Sequence, residues 1–533
     1  MRTLTYIFTL LLLCGAVQAQ EVIESRKFKE YSLEDSFYPL EVFDSDRPRY
    51  AATHQVAARI SEDAFVYIFP PRFTNFRTRR VACYDVSLEA RWETDFKLER
   101  DELIFHFFVS DSLAQILTGR YRQKADAYEI RLRSFSLKSG EERENKKLLV
   151  LPGLQRMPVG YAISPDLATI LIYHVPGKSR NEGRYIFNNA LPGVRIDEAE
   201  SLHFSLFDQN LHMLDSGQIT LGIDRRDDAN MLDATVDNDG NVYATVYEKE
   251  EKLTVFAWLR KESRQMKLSY DAFPEPWNSQ APYMTFLPPK VGLSGRVHAA
   301  HAIRERNRGR WETQAFKLIT FDFYKGVVLD SFQANISSSF LVEVGKARET
   351  IDLKPSTVFD RYLIHDLLPL ADGSVWIMAQ KHQASSQNIY QNGLIAGTDF
   401  RIEQEEIVMI GFAPNGKAKG AIILPIRQLA MNDRSSISIN HSYTVDPESG
   451  LVKLLSWEAS GERYRRPERL FHRTINLQNG SISKRAMVYD GRRRDQFYLA
   501  PYTLWLNPFI MVTLAMDGDS DRYPRFVALR LPD

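Results

Sequence analysis

Cysteine is nearly absent from this chain, which has only Cys14 and Cys83 in 533 residues. Cys14 lies in an N-terminal stretch that we expect to be removed, so the mature chain cannot form an intrachain disulfide. Cys83 stands in an apolar run, residues 81–84, where a small buried residue is a better interpretation than a reactive thiol. An exported protein of this size without a disulfide is more typical of bacteria than of animals.

Long hydrophobic runs are also lacking, because no apolar stretch reaches the ~20 residues that a membrane-spanning helix needs. The N-terminal run, residues 4–13, follows a basic start and precedes small residues that end at Ala19. This pattern is typical of a secretory signal. We predict a signal peptide over residues 1–19, a mature chain over 20–533, and a final location in the periplasm, on the outer surface or outside the cell. Leu13 before Cys14 disfavours lipoprotein anchoring, since that position usually holds a small residue.

No charge of one sign is in excess, with 68 basic and 68 acidic residues. This balance argues against nucleic acid or an anionic membrane surface as the main partner. The sequence also lacks the Gly-x-Ser-x-Gly elbow, the phosphate loop, the dinucleotide fingerprint and the His-Glu-x-x-His motif. We therefore predict no cofactor and no metal, and the catalytic residues of any enzymatic activity stay unassigned.

The clearest unit that is present runs from Tyr362 to Pro425. Asp372-Gly373 separates the apolar runs 362–371 and 375–379, and such a pair predicts a β-hairpin. After a stretch predicted to be a polar loop, residues 381–405, a second hairpin joins 407–412 to 421–424. The unit therefore has four strands.

The strand over residues 407–412 is apolar at nearly every position, so both of its faces need cover. With few helices predicted, the cover must come from other sheets, and four-stranded sheets packed around an axis form a β-propeller. Similar hairpins recur along the chain, with Asp237–Gly240 and Asp446–Gly450 as turns. The prediction is a single all-β propeller of four-stranded antiparallel blades.

Eight blades are favoured, with seven as the alternative. Three strands remain at the C-terminus after residue 502, and a three-stranded blade would leave an exposed edge. We expect a segment near the N-terminus, residues 28–43, to supply the missing strand. The blades are predicted at residues 57–96, 102–149, 160–219, 231–268, 296–332, 362–424, 438–488 and 502–531, with polar or proline-rich insertions at 271–292 and 333–358.

The run from Leu363 to Ala379, continued from Ile407 to Lys417, resembles uncharacterised exported β-propeller proteins of bacteria. The resemblance is strongest over residues 362–425 and concerns structural motifs. It implies the propeller fold and export, and it carries over no catalytic residue.

Three polar residues, His365, Asp366 and His441, fall early in the first hairpin of their blades. The first strand of a blade usually lines the central channel, so we predict that these residues face a channel ligand. The alternative is that the histidines are hydrogen-bonded structural residues, as buried polar groups normally are.

Other motifs favour structural interpretations. His298 and His301 lie on a predicted strand, where residues three apart face opposite sides, which disfavours the alternative of a shared metal. The acidic stretches 237–240 and 517–521 lack the spacing of a calcium-binding EF-hand and are predicted turns. Arginine clusters at 77–80, 304–310, 463–469 and 492–494 are expected on solvated loops, with a polyanionic glycan partner as the alternative. Trp258, Trp376 and Trp457 are expected in the core, although strand tryptophans can also be sugar platforms.

These observations favour an exported propeller that binds or scaffolds a protein or a cell-envelope glycan, without enzymatic activity. The alternative is a saccharide-active hydrolase or lyase with its site in the central funnel, where two carboxylates would converge. Oligomeric state is left open.

Overall fold

The computed structural model describes part of the chain, and the structural statements below concern these residues alone: 22–27, 57–69, 77–99, 102–110, 112–125, 127–152, 159–174, 194–196, 199–223, 229–248, 252–271, 290–292, 296–307, 310–336, 338–349, 362–391, 394–426, 428–431, 441–458, 469–490, 496–517 and 524–531.

Nearly all of these residues are in β-strands. In chain order the strands are β1 (Val22–Lys27), β2 (Ala57–Ser61), β3 (Ala64–Phe69), β4 (Thr78–Asp85), β5 (Ala90–Lys97), β6 (Leu103–Val109), β7 (Leu113–Arg122), β8 (Ala127–Ser136), β9 (Glu142–Pro152), β10 (Val159–Ile163), β11 (Thr169–His174), β12 (Val194–Ile196), β13 (Ala199–Asp208), β14 (Met213–Ile223), β15 (Ala229–Val236), β16 (Val242–Glu248), β17 (Lys252–Leu259), β18 (Arg264–Asp271), β19 (Lys290–Val291), β20 (Arg296–Asn307), β21 (Arg310–Asp322), β22 (Val327–Asn335), β23 (Tyr362–Pro369), β24 (Val375–Gln391), β25 (Leu394–Phe412), β26 (Ala418–Leu424), β27 (Gln428–Met431), β28 (Ser442–Asp446), β29 (Leu451–Glu458), β30 (Arg469–Asn476), β31 (Ala486–Asp490), β32 (Gln496–Asn507), β33 (Ile510–Asp517) and β34 (Pro524–Arg530). One α-helix, α1 (Ser338–Glu349), joins β22 to β23.

The strands form eight antiparallel sheets, which confirms the predicted eight-bladed propeller. Blade 1 is β2–β5, blade 2 is β6–β9, blade 3 is β10, β11, β13 and β14, and blade 4 is β15–β18. Blade 5 is β19–β22, blade 6 is β23–β26, blade 7 is β28–β31, and blade 8 is β32–β34 with β1. β12 adds to the inner edge of blade 4, and β27 pairs with β25 of blade 6. First strands of neighbouring blades contact one another around the axis, for example β2 with β6 and with β32, β10 with β15, and β28 with β32.

The ring is held together by eight apolar clusters, one between each pair of neighbouring blades. In β3 all six residues are buried: alternate side chains pack toward blade 8 and toward blade 2. The same holds at each further interface, including that between blades 7 and 8. Sheets that are apolar on both faces thus cover one another, which is the physical reason for the closed ring.

The N-terminal strand closes the ring, as predicted, but the strand is β1. It pairs antiparallel with β34 from Val22 opposite Leu529 to Lys27 opposite Arg525. Residues 28–43, the segment named for this role from the sequence, lie outside the described residues. Asn507 of blade 8 also donates a hydrogen bond from Nδ2 to the carbonyl of Glu62 in blade 1, at 3.5 Å.

Two local predictions are wrong, and one predicted insertion contains a helix that was not predicted. Residues 381–405 are not a loop, because β24 and β25 pair antiparallel through this stretch as far as Gln391 opposite Leu394. The first strand of blade 5 is β19, so the strand at residue 296 is its second strand. The insertion 333–358 contains α1, whose Val344 is buried in the cluster between blades 5 and 6.

The two faces of the ring differ. Because strands within a blade alternate in direction, the turns between first and second strands and between third and fourth strands lie at one end. These turns are short, and several link neighbouring blades. The backbone N–H of Asp166 donates to Asn238 Oδ1 at 3.0 Å, and the Tyr324 hydroxyl donates to Asp239 Oδ2 at 2.9 Å. We call this end the tight-turn face.

The opposite end, which we call the long-connection face, carries the links between second and third strands and between blades. Several strand ends at this face are far apart in the sequence: β11 ends at His174 and β13 begins at Ala199, and β18 ends at Asp271 and β19 begins at Lys290. Within the described ranges, no helix has the length and apolar character needed to cross a membrane.

Candidate functional site

The three predicted site residues lie together on the inner strands of blades 6 and 7. His365 and Asp366 lie in the middle of β23, and His441 directly precedes β28. The imidazole rings of His365 and His441 are 5.1 Å apart between centroids and inclined by 58°. The structure thus brings the two histidines into contact across the blade interface, beside the channel.

A β-bulge explains how two successive residues of β23 reach the same neighbour. Ile364 lies opposite Ala379, and Asp366 lies opposite Met378, so that one extra residue, His365, is inserted into β23. A bulge interrupts the strict alternation of sides and re-aims side chains. Both His365 and Asp366 therefore contact residues of blade 7.

The Asp366 carboxylate is held from two directions. Its Oδ2 accepts a hydrogen bond from the Tyr443 hydroxyl of β28, and its Oδ1 accepts one from the backbone N–H of Leu367 at 2.8 Å. The Tyr443 ring in turn lies 6.0 Å from the His441 ring. We refer to His365, Asp366, His441 and Tyr443 as the channel cluster.

The polar wall continues into blade 8. The indole N–H of Trp505, on β32, donates to the hydroxyl of Ser442 at 3.0 Å. Ser442 lies between His441 and Tyr443 in the chain, so the inner strands of three consecutive blades carry aromatic and hydrogen-bonding groups side by side.

The electrostatics of the cluster favour a neutral His441. Burial lowers the pKa of His441 to about 4, and the Asp366 carboxylate counteracts this only in part. At neutral pH the ring is therefore uncharged and has one donor and one acceptor nitrogen. Its Nδ1 is buried and makes no hydrogen bond to the part of the chain that the structure describes. The cluster can thus offer a neutral imidazole and a carboxylate to a polar ligand group.

The bulge recurs at the same level in two other inner strands. In β6 the register shifts between Ile104 and His106, and in β15 it shifts between Met231 and Asp233. As with Asp366, the ionisable residue after the bulge stands three positions before the last residue of its strand. Blades 2, 4 and 6 thus place an ionisable residue at one level of the ring. The repeated sequence pattern, Ile-Phe-His, Met-Leu-Asp and Ile-His-Asp, is the signal that could have located this level.

The other sequence motifs have structural roles where they are described. His298 is buried on β20, and its Nδ1 lies 2.9 Å from the Thr320 hydroxyl. Asp237 caps its own turn by accepting bonds from the backbone of Asp239 at 3.0 Å and of Asn241 at 2.8 Å. In the described ranges no group of three potential metal ligands is present.

The tryptophan placements follow the structural interpretation, whereas Arg79 and Arg80 lie half-buried on β4 and not on a solvated loop as predicted. Trp376 is buried between blades 6 and 7, and Trp258 packs between blades 3 and 4. Arg80 forms ion pairs with Glu93 at 2.9 Å and Asp95 at 2.8 Å. The Trp457 and His301 side chains, residues 518–521 and the arginines at 492–494 lie outside the described part.

The eight blades, the eight inter-blade clusters and the polar channel wall define the class of this protein as a β-propeller. No family model matches the chain, and no curated protein is significantly similar to it in sequence. The chain resembles several solved structures at low sequence identity. The Dos1 propeller is 8% identical with a TM-score of 0.41, covering 89% of this chain and 90% of that one. The β-propeller domain of the Trilobed protease from Pyrococcus furiosus is 9% identical with a TM-score of 0.33, covering 82% and 97%. The polysaccharide lyase Uly1 is 12% identical with a TM-score of 0.35, covering 80% and 89%.

Proposed function

We propose that this protein is an exported, non-enzymatic binding module that holds a protein or a cell-envelope glycan on its long-connection face, with the channel cluster contacting the bound partner. The observation that carries the proposal is the difference between the two faces. At one face the strand ends are joined by short turns, several of which bond to a neighbouring blade, while the strand ends that are farthest apart in the sequence lie at the other face. Loops that a rigid scaffold presents on one side are where binding residues concentrate.

The channel cluster supplies the chemistry for recognition. A neutral imidazole and a carboxylate form hydrogen bonds with hydroxyl and amide groups, which proteins and glycans both carry. The Asp366 carboxylate is fixed by Tyr443 and by the backbone of Leu367, so it is pre-organised for such a bond. Export rests on the N-terminal sequence, with its basic start, apolar run and small residues before Gln20.

The test is an affinity capture from solubilised native envelope with the purified mature chain as bait. We expect one or a few partners to be retained by the wild type and retention to fall at least about tenfold in a His365→Ala, His441→Ala double variant. That loss corresponds to about 1.4 kcal/mol. A matched control, Lys138→Ala with Ser139→Ala, changes two exposed residues of the tight-turn face and should retain the partner.

Retention that is unaltered in the double variant would remove the channel cluster from the proposal. Loss of retention in both the double variant and the control would contradict the proposal that the partner binds to the long-connection face. Incubating the protein with the captured glycan and finding new reducing or unsaturated ends would instead support the saccharide-active alternative. Cell fractionation, with N-terminal sequencing expected to begin at Gln20, tests export separately.

A further inference from the structure

The second and third strands of blade 6 extend far beyond the blade. β24 pairs with β23 only up to Lys381, and beyond that residue β24 pairs with β25 alone, as far as Gln391 opposite Leu394. At about 3.3 Å per residue, this extension is up to roughly 30 Å long. We call the part over residues 382–400 the blade-6 arm. It projects from the long-connection face, because the end of β24 and the start of β25 lie there.

The arm has open hydrogen-bonding edges. β27 covers β25 over residues 401–404 and thereby adds a strand to the base of the arm. Beyond that point, the described ranges contain no strand paired with the axis-side edge of β24 from His382 to Gln391 or with the outer edge of β25 from Leu394 to Phe400. An open edge of this length is a template for pairing with another chain.

Charge normally protects such edges, and elsewhere this molecule follows that rule. The outermost strand of blade 2, β9, carries Glu142, Arg143, Glu144, Lys146 and Lys147, all exposed. β5 and β18 likewise carry several charged residues. From His382 to Thr398, in contrast, the arm contains no Lys, Arg, Asp, Glu or Pro. The charged residues and prolines that usually prevent strand addition are therefore missing from residues 382–398, and β24 has only the register shifts between Gln380 and His382 and between Ile389 and Tyr390.

We propose that the blade-6 arm is a strand-addition site for a second copy of this chain, with β24 of each copy pairing antiparallel along its axis-side edge. Such a contact is self-complementary, as a two-fold interface requires. An uncharged edge meets its own copy without like-charge repulsion in any register between residues 382 and 391, whereas cross-strand like charges are destabilising. The sheet order places this edge on the side of the ring axis, so the two rings would face each other through their long-connection faces.

The mass in solution tests the proposal. Sedimentation velocity from about 0.1 to about 50 µM should show a reversible monomer–dimer equilibrium for the wild type. In a Ser385→Lys, Asn388→Lys variant, which brings lysines close together across the pair, the dimer dissociation constant should rise at least about tenfold. The matched control Ser87→Lys, Asn210→Lys adds the same charge at exposed positions of the tight-turn face and should dimerise as the wild type does.

Hydrogen exchange locates the contact. Peptides covering residues 382–391 should gain protection as the concentration rises, while peptides covering β9 should not. The proposal is overturned if the wild type is monomeric throughout the concentration range, or if the lysine substitutions in the arm leave the dimer dissociation constant unchanged. Protection of the arm that does not depend on concentration would also overturn it, because it would indicate that the chain covers its own edge. Both contacts would use the long-connection face, so the envelope capture is run at a bait concentration below the dimer dissociation constant, where a failure of one proposal is distinguishable from a failure of the other.

Discussion

Buried histidines make the stability of this protein depend on pH. Burial lowers the pKa of His298 to about 4, with a smaller contribution from Arg296. His174 and His472 are likewise lowered to about 4 by burial. An unfolded histidine has a pKa near 6.5, so between the two values the unfolded state binds more protons than the folded state. The stabilisation is complete above pH 6.5 and is lost as the pH falls toward 4.

For His298 this predicts a specific outcome. Between pH 7.5 and pH 5.0 the wild type should lose about 2 kcal/mol more of its unfolding free energy than a His298→Gln variant, because one buried ring no longer has to take up a proton. Urea unfolding at the two pH values measures the difference. Ser87→Gln, at an exposed residue of the tight-turn face, is the control and should keep the wild-type pH dependence. If the unfolding free energy changes equally with pH in all three proteins, the pKa of His298 is not lowered by burial as described.

Single residues also show where sequence reasoning worked and where it did not. His365, Asp366 and His441 were selected because inner strands line the axis, and the structure brings them together. Whether they bind a ligand stays a prediction. Tyr443 was missed because the bulge at His365 shifts the alternation of sides, and a bulge depends on cross-strand register rather than on local sequence.

At the scale of the elements, the hairpins were predictable because their turn residues act locally. Asp372 accepts a bond from the backbone of Ser374 at 2.8 Å, and Gly373 has a φ of 79°. Both features are what the Asp-Gly pair predicts. The blade-6 arm was not predictable, because its strands have neither alternation nor an apolar face and are defined only by pairing with each other. β1 was missed for a related reason: its partner, β34, is at the other end of the chain.

A buried ion pair ties together the strands of blade 7. Glu458 at the end of β29 is 2% exposed and pairs with Arg473 of β30 at 2.5 Å and with Arg485, just before β31, at 2.7 Å. Arg473 also donates to the carbonyl of Pro425 from blade 6 at 3.1 Å. These contacts link three strands of one blade to the neighbouring blade.

Replacing Glu458 by Ala should cost about 3–5 kcal/mol of unfolding free energy, because it leaves the Arg473 charge buried without its carboxylate. A Glu458→Leu, Arg473→Met double variant should recover much of this loss, since it removes both charges. Removing the exposed pair Glu262–Arg264, whose side chains are 49% and 56% exposed, should change stability by less than about 1 kcal/mol. Urea unfolding of the single variant, the double variant and the variant without the Glu262–Arg264 pair measures these three differences in unfolding free energy. A double variant as unstable as Glu458→Ala would show that packing, not the unpaired charge, dominates.

At the scale of the whole molecule, the ring depends on a contact between the two ends of the chain. Each blade interface has an apolar cluster, and the cluster between blades 8 and 1 includes Phe526 of β34 packed on Phe65 and Tyr67 of β3. β34 would be an edge strand without β1, which pairs with it from Lys27 to Val22. The ring is therefore closed by two different means: apolar packing between blades 8 and 1, and backbone pairing within blade 8.

The two means can be separated by truncation. A chain beginning at residue 28 should keep the packing between blades 8 and 1 but lose the ladder to β34, at a cost of about 3–5 kcal/mol if several net hydrogen bonds are lost. Its unpaired β34 edge should also promote association between molecules. A chain beginning at Gln20, which is the predicted mature protein and keeps β1, is the control. Thermal unfolding and light scattering would show the effect as a lower midpoint and earlier aggregation for the shorter chain. If both chains unfold at the same temperature, closure rests on the apolar cluster alone, and the N-terminal strand covers the edge without stabilising the ring.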